Sequence, residues 1–181
     1  MSKGIIIYYS LTGNVDYIAK KLNNDLNFDL VEIQTAFDLK KTGFLKIFLG
    51  IFQVIFKIHP QILYKNINIS EYDHIIIGTP VWASTFAPAF NRFFKEISIK
   101  NKNVSFFVCC SEGVGNALSN LKNSLPNNTF GESAVFFNPA SNKEDREQLY
   151  IDFITKLKNI SLESWIIKKY VIYRLLKLSN F

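Results

Sequence analysis

Between Tyr9 and Asp16 the chain reads Ser10-Leu11-Thr12-Gly13-Asn14-Val15, a turn with two hydroxyls, one glycine and a row of backbone amides. It follows the apolar run Ile5-Ile6-Ile7-Tyr8-Tyr9 and precedes a helical pattern. The first turn of a helix presents N–H groups without intrahelical partners at the positive end of its dipole, which suits a phosphate. Ser10 and Thr12 add hydroxyl donors, and Gly13 lets the backbone come close. Nothing basic lies inside the turn, so it would hold a terminal monophosphate by hydrogen bonds alone. The plainer reading, that Ser10 or Thr12 caps the helix, stays open.

Two further stretches follow apolar runs in the same way. Gly78-Thr79-Pro80-Val81-Trp82-Ala83-Ser84-Thr85-Phe86-Ala87-Pro88 reads as a loop stiffened by two prolines, with Trp82 as a flat apolar surface. Such a surface gains from stacking beside a conjugated ring, or it plugs the core. The third stretch, Cys109-Cys110-Ser111-Glu112-Gly113-Val114-Gly115-Asn116, carries two glycines. Glu112 is the one acid there, and it reads equally as a solvated loop residue. No catalytic residue is expected.

Missing motifs remove rival chemistries. After the first strand there is neither G-x-G-x-x-G nor G-x-x-x-x-G-K-[ST]. Ser111 is not in a G-x-S-x-G elbow. The histidines, His59 and His74, have no cysteine or histidine cluster beside them, so they read as ordinary residues at element ends and no metal is expected.

Elements that could position these loops alternate along the chain. Strands are expected at Gly4–Tyr9, Phe28–Ile33, His74–Gly78, Val104–Cys109 and Ser133–Phe137. Helices are expected at Asn14–Asn24, Phe44–Ile58, Pro88–Ile97, Gly115–Ser124 and Lys143–Lys158. Continuous runs such as Ile75-Ile76-Ile77 suit strands covered on both faces. Repeated β–α units imply a parallel, doubly wound sheet with ligands at the carboxyl ends of its strands. Phe44–Ile58 carries polar or small residues only in one narrow stripe, so it reads as a helix buried over most of its circumference.

The 181 residues suit one domain, with residues 1–160 as its body and residues 161–181 as a basic amphipathic helical extension. The net charge of +6 is local: residues 156–181 hold six basic groups and one acid, leaving 15 basic and 14 acidic groups in the rest. A near-neutral body gives no reason to expect a nucleic-acid partner. Leu162–Leu178 is interrupted by Lys168, Lys169, Arg174 and Lys177, which makes a membrane span uncomfortable. It reads as a helix packed on its own body or on a second copy in a homodimer, or lying on an anionic membrane surface. The adjacent Cys109 and Cys110 point to opposite faces of a strand, which suits reduced thiols and a cytoplasmic setting, peripheral to the membrane if the extension binds there. The start opens directly onto a strand, with no signal peptide in view.

Ser10-Leu11-Thr12-Gly13-Asn14 resembles the phosphate loop of the flavodoxins, and Gly78-Thr79-Pro80-Val81-Trp82-Ala83 resembles the flavin-ring loop of flavodoxin-like proteins. The resemblance covers roughly residues 3–158. It implies a flavodoxin-like five-stranded sheet, here with an extra C-terminal helix, and FMN as cofactor. By that resemblance the phosphate meets Ser10, Leu11, Thr12, Gly13, Asn14 and Val15, and the ring meets Thr79, Pro80, Val81, Trp82 and Ala83. Its pyrimidine edge meets backbone near Ser111, Glu112, Gly113 and Gly115. Val15 stands where many members carry Ser or Thr, which removes a hydroxyl contact of about 1 kcal/mol. The implied function is electron transfer through bound flavin to redox partner proteins or a small-molecule acceptor. The alternatives are an FMN-dependent NAD(P)H oxidoreductase acting on a quinone or similar acceptor, and a cofactor-free interaction module, which the intact turn disfavours. In carriers of the family a glycine-containing peptide of the ring loop flips to bond the reduced flavin. Residues 79–88 contain no glycine, and Ala83 is penalised in left-handed backbone, so weak stabilisation of the one-electron-reduced state is expected.

Overall fold

The computed structural model describes residues 3–35, 60–140 and 146–159. Its centre is a parallel sheet in the spatial order β2-β1-β5-β7-β8. These strands are β1 (Gly4–Tyr8), β2 (Asp29–Glu32), β5 (His74–Trp82), β7 (Asn103–Cys110) and β8 (Thr129–Phe137). Two short pieces complete the strands: β3 (Gln34–Thr35) pairs antiparallel with β4 (Ile62–Leu63), and β6 (Thr85–Phe86) folds back antiparallel on the end of β5. The helices are α1 (Asn14–Leu26), α2 (Ala89–Glu96), α3 (Ala117–Asn123) and α4, over residues 146–159.

Alternation within the strands explains the continuous apolar runs. Ile5, Ile7, Ile75, Ile77, Phe106 and Val108 face one way and pack with Phe90 and Phe93 of α2 and Leu121 of α3. Ile6, Tyr8, Ile76, Phe107 and Phe136 face the other way and meet Ile18 and Leu22 of α1 with Phe153 and Leu157 of α4. Both faces are therefore covered, as a parallel sheet requires. From β1 the chain moves outward to β2, then returns to the other side of β1 for β5 and continues to β7 and β8. The reversal between β1 and β5 opens a crevice at the carboxyl ends of these strands.

The five expected strands are the five of the main sheet, with two shifts in extent. The β5 strand runs on through Thr79 and Pro80, which register with Val108 and Cys109. Its pairing with β1 ends at Tyr8 opposite Gly78, so Pro80 sits where β5 has become an edge on that side. A missing N–H is tolerated there. The β8 strand starts at Thr129 rather than Ser133 and meets β7 across an irregularity between Val104 and Phe106. The β3–β4 pair and β6 have runs too short to read from sequence. The expected helix Phe44–Ile58 and the C-terminal extension lie outside the described residues, as do His59 and the start of the helix expected from Lys143.

His74, at the amino end of β5, is 3% exposed. Its Nε2 lies 3.0 Å from Ser105 Oγ, and Phe28 approaches its ring edge-on at 5.7 Å. Burial lowers its pKa from 6.5 to about 4. Below about pH 6.5 the unfolded chain takes up a proton that the folded chain refuses, so stability falls as pH drops toward 4. Between pH 7 and pH 5 this one group should remove about 2 kcal/mol. Urea unfolding at the two pH values checks it: His74→Gln should lose most of that difference, and an unchanged difference would show that His74 is not its source.

Candidate functional site

The turn after β1 is anchored before it reaches α1. The Tyr9 N–H donates to the Gly78 carbonyl at 3.0 Å, tying the exit of β1 to β5. Gly13 then takes φ 89, a left-handed conformation suited to glycine, and stands as the N-cap of α1. A Cβ added there would meet no protein atom within 4 Å, so that side of the turn is open. Ser10 does cap: its Oγ accepts from the Asp16 N–H at 3.1 Å. The N–H groups of Asn14 and Val15, one and two positions into the helix, have no acceptor within it by geometry. The capping reading therefore holds for Ser10, which satisfies the third amide and leaves the first two without an intrahelical acceptor.

The first turn of α1 is fixed from below. Tyr8 OH donates to Asp16 Oδ1 at 2.7 Å, and Lys20 Nζ donates to Asp16 Oδ2 at 2.8 Å. Burial first, then the bond to Asp16, pushes the Tyr8 hydroxyl far above its ordinary pKa. It stays protonated and acts as a fixed donor. This arrangement brings Asp16 and Lys20 to the first turn of α1.

On the other side of the crevice, Trp82 and Thr85 register across a two-residue hairpin whose tip is Ala83 and Ser84. Both tip residues have positive φ, 44° and 62°. Hairpins of two residues favour this mirror-image turn because it matches the twist of the strands. The Cβ penalty expected at Ala83 is therefore borne in this fold, at roughly 1 kcal/mol for each such residue. Two bonds hold the tip: the Asn116 N–H donates to the Ser84 carbonyl at 2.8 Å, and Asn120 Nδ2 donates to Thr85 Oγ1 at 2.9 Å. Trp82 packs partly on the core, where the edge of Tyr9 meets it at 5.7 Å and 89°. Its remaining surface lines the crevice.

Between turn and hairpin lies a cavity of about 490 Å³, continuous through Val81, Ala83, Cys110, Ser111 and Glu112 with another of about 530 Å³. Leu11, Thr12 and Asn14 line one end, Pro80, Val81, Trp82 and Ala83 a side, and Ser111, Glu112, Gly113 and Gly115 the far end. Four expected residues stand behind this surface. Val15 is 1% exposed and faces the core, so only its backbone serves the turn. Thr79 is fully buried, its hydroxyl accepting from the Ala87 N–H and donating to the Pro80 carbonyl, both at 3.0 Å. Ser10 and Gly13 shape the turn from outside the cleft. A roomier cavity of about 600 Å³ opens beyond the hairpin among Phe86, Asn91, Asn116, Asn120 and Asn123, but the turn after β1 does not line it.

The structure adds Ser84, Cys109, Cys110 and Asn138 to the lining. Cys109 and Cys110 end β7, where the apolar run itself signalled a strand end. Both thiols are free, and burial raises both pKa values, so they stay protonated and make neutral walls. Asn138 lies one residue past β8, a position with no signal in the sequence. Among the described residues no group of acids, cysteines and histidines is placed to hold a metal ion.

Comparison with known proteins bears on the family and the fold. Residues 51–152 match the sequence model of a family described as Flavodoxin. No curated protein matches the sequence. A flavoprotein structure from Bacteroides eggerthii is 26% identical with a TM-score of 0.66, covering 87% of this chain and 99% of that one. A Lactobacillus acidophilus flavoprotein solved in complex with FMN is 22% identical with a TM-score of 0.65, covering 75% and 93%. Two-electron reduced Megasphaera elsdenii flavodoxin is 18% identical with a TM-score of 0.53, covering 81% and 95%.

The grip on the hairpin tip is tight enough to test. A Cβ on Gly115, which has φ +50, would lie 2.4 Å from Ser84 Cβ and 2.6 Å from its Cα. A Cβ on Gly113 meets nothing within 4 Å. Gly115→Ala should therefore lower stability by about 2 kcal/mol or more from crowding and left-handed strain together. Gly113→Ala should melt close to wild type. Equal melting of the two variants would contradict this account of the hairpin.

Proposed function

The chain belongs to the flavodoxin family, and on that footing we propose that it binds one FMN and transfers electrons through it. The observation that carries the reading is the cleft itself: an amide and hydroxyl turn at one end, with an aromatic and proline wall beside a glycine-containing loop at the other. FMN fits these residues because it joins a monophosphate to a flat ring, and when bound it supplies reversible electron chemistry. The Asn14 and Val15 amides with the Thr12 hydroxyl would hold the phosphate, favoured by the dipole of α1. Trp82 would flank the ring, Pro80 and Val81 would keep water from it, and backbone around Ser111–Gly115 would meet its polar edge. The electrons go to a redox partner protein or a small acceptor. Among the described residues no helix is long and apolar enough to cross a membrane.

One observation favours the reductase as a second reading. The hairpin tip has no glycine and already holds left-handed backbone, fixed by Asn116 and Asn120. A loop so held has little freedom to reorganise around a reduced ring, which suits two-electron exchange with NAD(P)H better than single-electron carriage. Anaerobic mixing of the FMN-loaded protein with NADH and NADPH separates the two: rapid bleaching speaks for the reductase, indifference for the carrier.

For the shared reading, titration of FMN with protein should quench flavin fluorescence at one flavin per chain. The double variant Thr12→Ala, Gly13→Val should weaken binding at least tenfold. It removes a hydroxyl worth about 1 kcal/mol and places a branched side chain on the open face of a turn at positive φ. Absence of quenching by the wild type would end the FMN reading.

A further inference from the structure

Helix periodicity gathers a set of carboxamides beyond the hairpin. Asn116, Asn120 and Asn123 are spaced four and three residues apart along α3 and share one face, while Ala117 and Leu121 turn to the core. Asn91 reaches the same cavity from α2, whose Phe90 and Phe93 are buried. Between the two helices the hairpin adds Ser84 and Thr85, and the buried Phe86 and Pro88 give the wall an apolar part. The cavity measures about 600 Å³, within the roughly 300–1,000 Å³ that small-ligand sites span.

These carboxamides are not spent on the fold. Asparagine is a weak helix former that is favoured at an N-cap, where its oxygen bonds a free amide. Asn116 stands at the N-cap of α3 and makes no such bond. Among the described residues, the carboxamides of Asn91, Asn116 and Asn123 form no hydrogen bond within the protein. Asn120 Nδ2 is taken by Thr85 Oγ1 at 2.9 Å, which leaves its Oδ1 as an acceptor. No residue lining the cavity is ionisable.

We propose that this cavity is a second ligand site, which takes an uncharged planar heterocycle of the adenine class on its asparagine carboxamides. A carboxamide carries a donor and an acceptor side by side, which match the N6 amino group and N7 of adenine in two parallel bonds. Phe86 and Pro88 supply the apolar contact from which a flat base gains. An anionic group would find no cation in this wall. Ala83 and Ser84 line both this cavity and the cofactor cleft, yet the proposal does not depend on FMN.

Equilibrium dialysis of the full-length protein against adenosine should show one nucleoside bound per chain. Purine riboside, which lacks the N6 amino group, should bind about 5-fold more weakly for the one hydrogen bond lost. Glucose, uncharged and polar but without a flat base, should not bind. Asn91→Asp, Asn116→Asp and Asn123→Asp each exchange the amide donor for an acceptor at nearly the same size. At least one of them should melt as the wild type does and weaken adenosine 5-fold or more. Saturating FMN should not displace adenosine. Absence of adenosine binding, equal binding of purine riboside, or indifference of all three variants would overturn the proposal. Displacement by FMN would place adenosine in the cofactor cleft and overturn it as well. A wild type that binds adenosine but no FMN would instead end the FMN reading and leave this site standing.

Discussion

The candidate site depends on one pairing, that of β1 with β5, in which Gly4 to Tyr8 lie parallel to His74 to Gly78. Parallel strands end on the same edge, so the turn after Tyr9 and the hairpin after Trp82 emerge side by side. The outward path to β2 and the opposite path to β7 then leave the space between them uncovered. Helices on both faces hold the pair in place through Ile5, Ile6, Ile7, Ile75, Ile76 and Ile77, all fully buried. Each such side chain contributes about 1.5–3 kcal/mol when taken from water, so moving one strand against the other would sacrifice several at once. The cleft thus borrows its rigidity from the core.

On that rigid edge the loops take up strain and are tied down individually. Ala83, Ser84, Asn138 and Gly115 all hold positive φ close to the cleft. Three of them have a neighbour that fixes them: Asn116 bonds the carbonyl of Ser84, Cys110 accepts from Asn138, and Gly115 lies against Ser84. Strain held this way pre-organises a surface, because ordering the loops does not have to be driven by ligand binding. The same fixation limits how far the loops can answer a change in the ligand's charge.

The sheet and its helices were largely legible in the sequence because buried parallel strands leave apolar runs such as Ile75-Ile76-Ile77 that a solvated strand would not. The extension of β5 to Trp82 was hidden by Pro80, which reads as a breaker until the loss of pairing beyond Tyr8 makes it an edge residue. Eleven expected residues of the cleft, Leu11, Thr12 and Asn14 with Pro80 through Ala83 and Ser111, Glu112, Gly113 and Gly115, belong to loops that the motifs marked. A motif gives a residue's neighbourhood but not its direction, and so Thr79 and Val15 turn inward although their neighbours line the cleft. Asn138 and Arg146 could not be read at all: the bond from Ala140 to Asn14 and the contact of Arg146 with Tyr17, which place this part of the chain, cross more than a hundred residues and exist only once α1 and α4 share a face.

The central claim is that a monophosphate sits in the Ser10–Val15 turn, held by the amides and hydroxyls of the turn itself. Phosphorus NMR of FMN bound to the protein, followed from pH 8 to pH 5, tests it directly. A free phosphate monoester changes charge near pH 6. In this turn the helix dipole and the N–H donors favour the dianion, so the bound signal should hold a constant shift across the range. A bound signal that titrates near pH 6 like free FMN would place the phosphate in solvent and contradict the account.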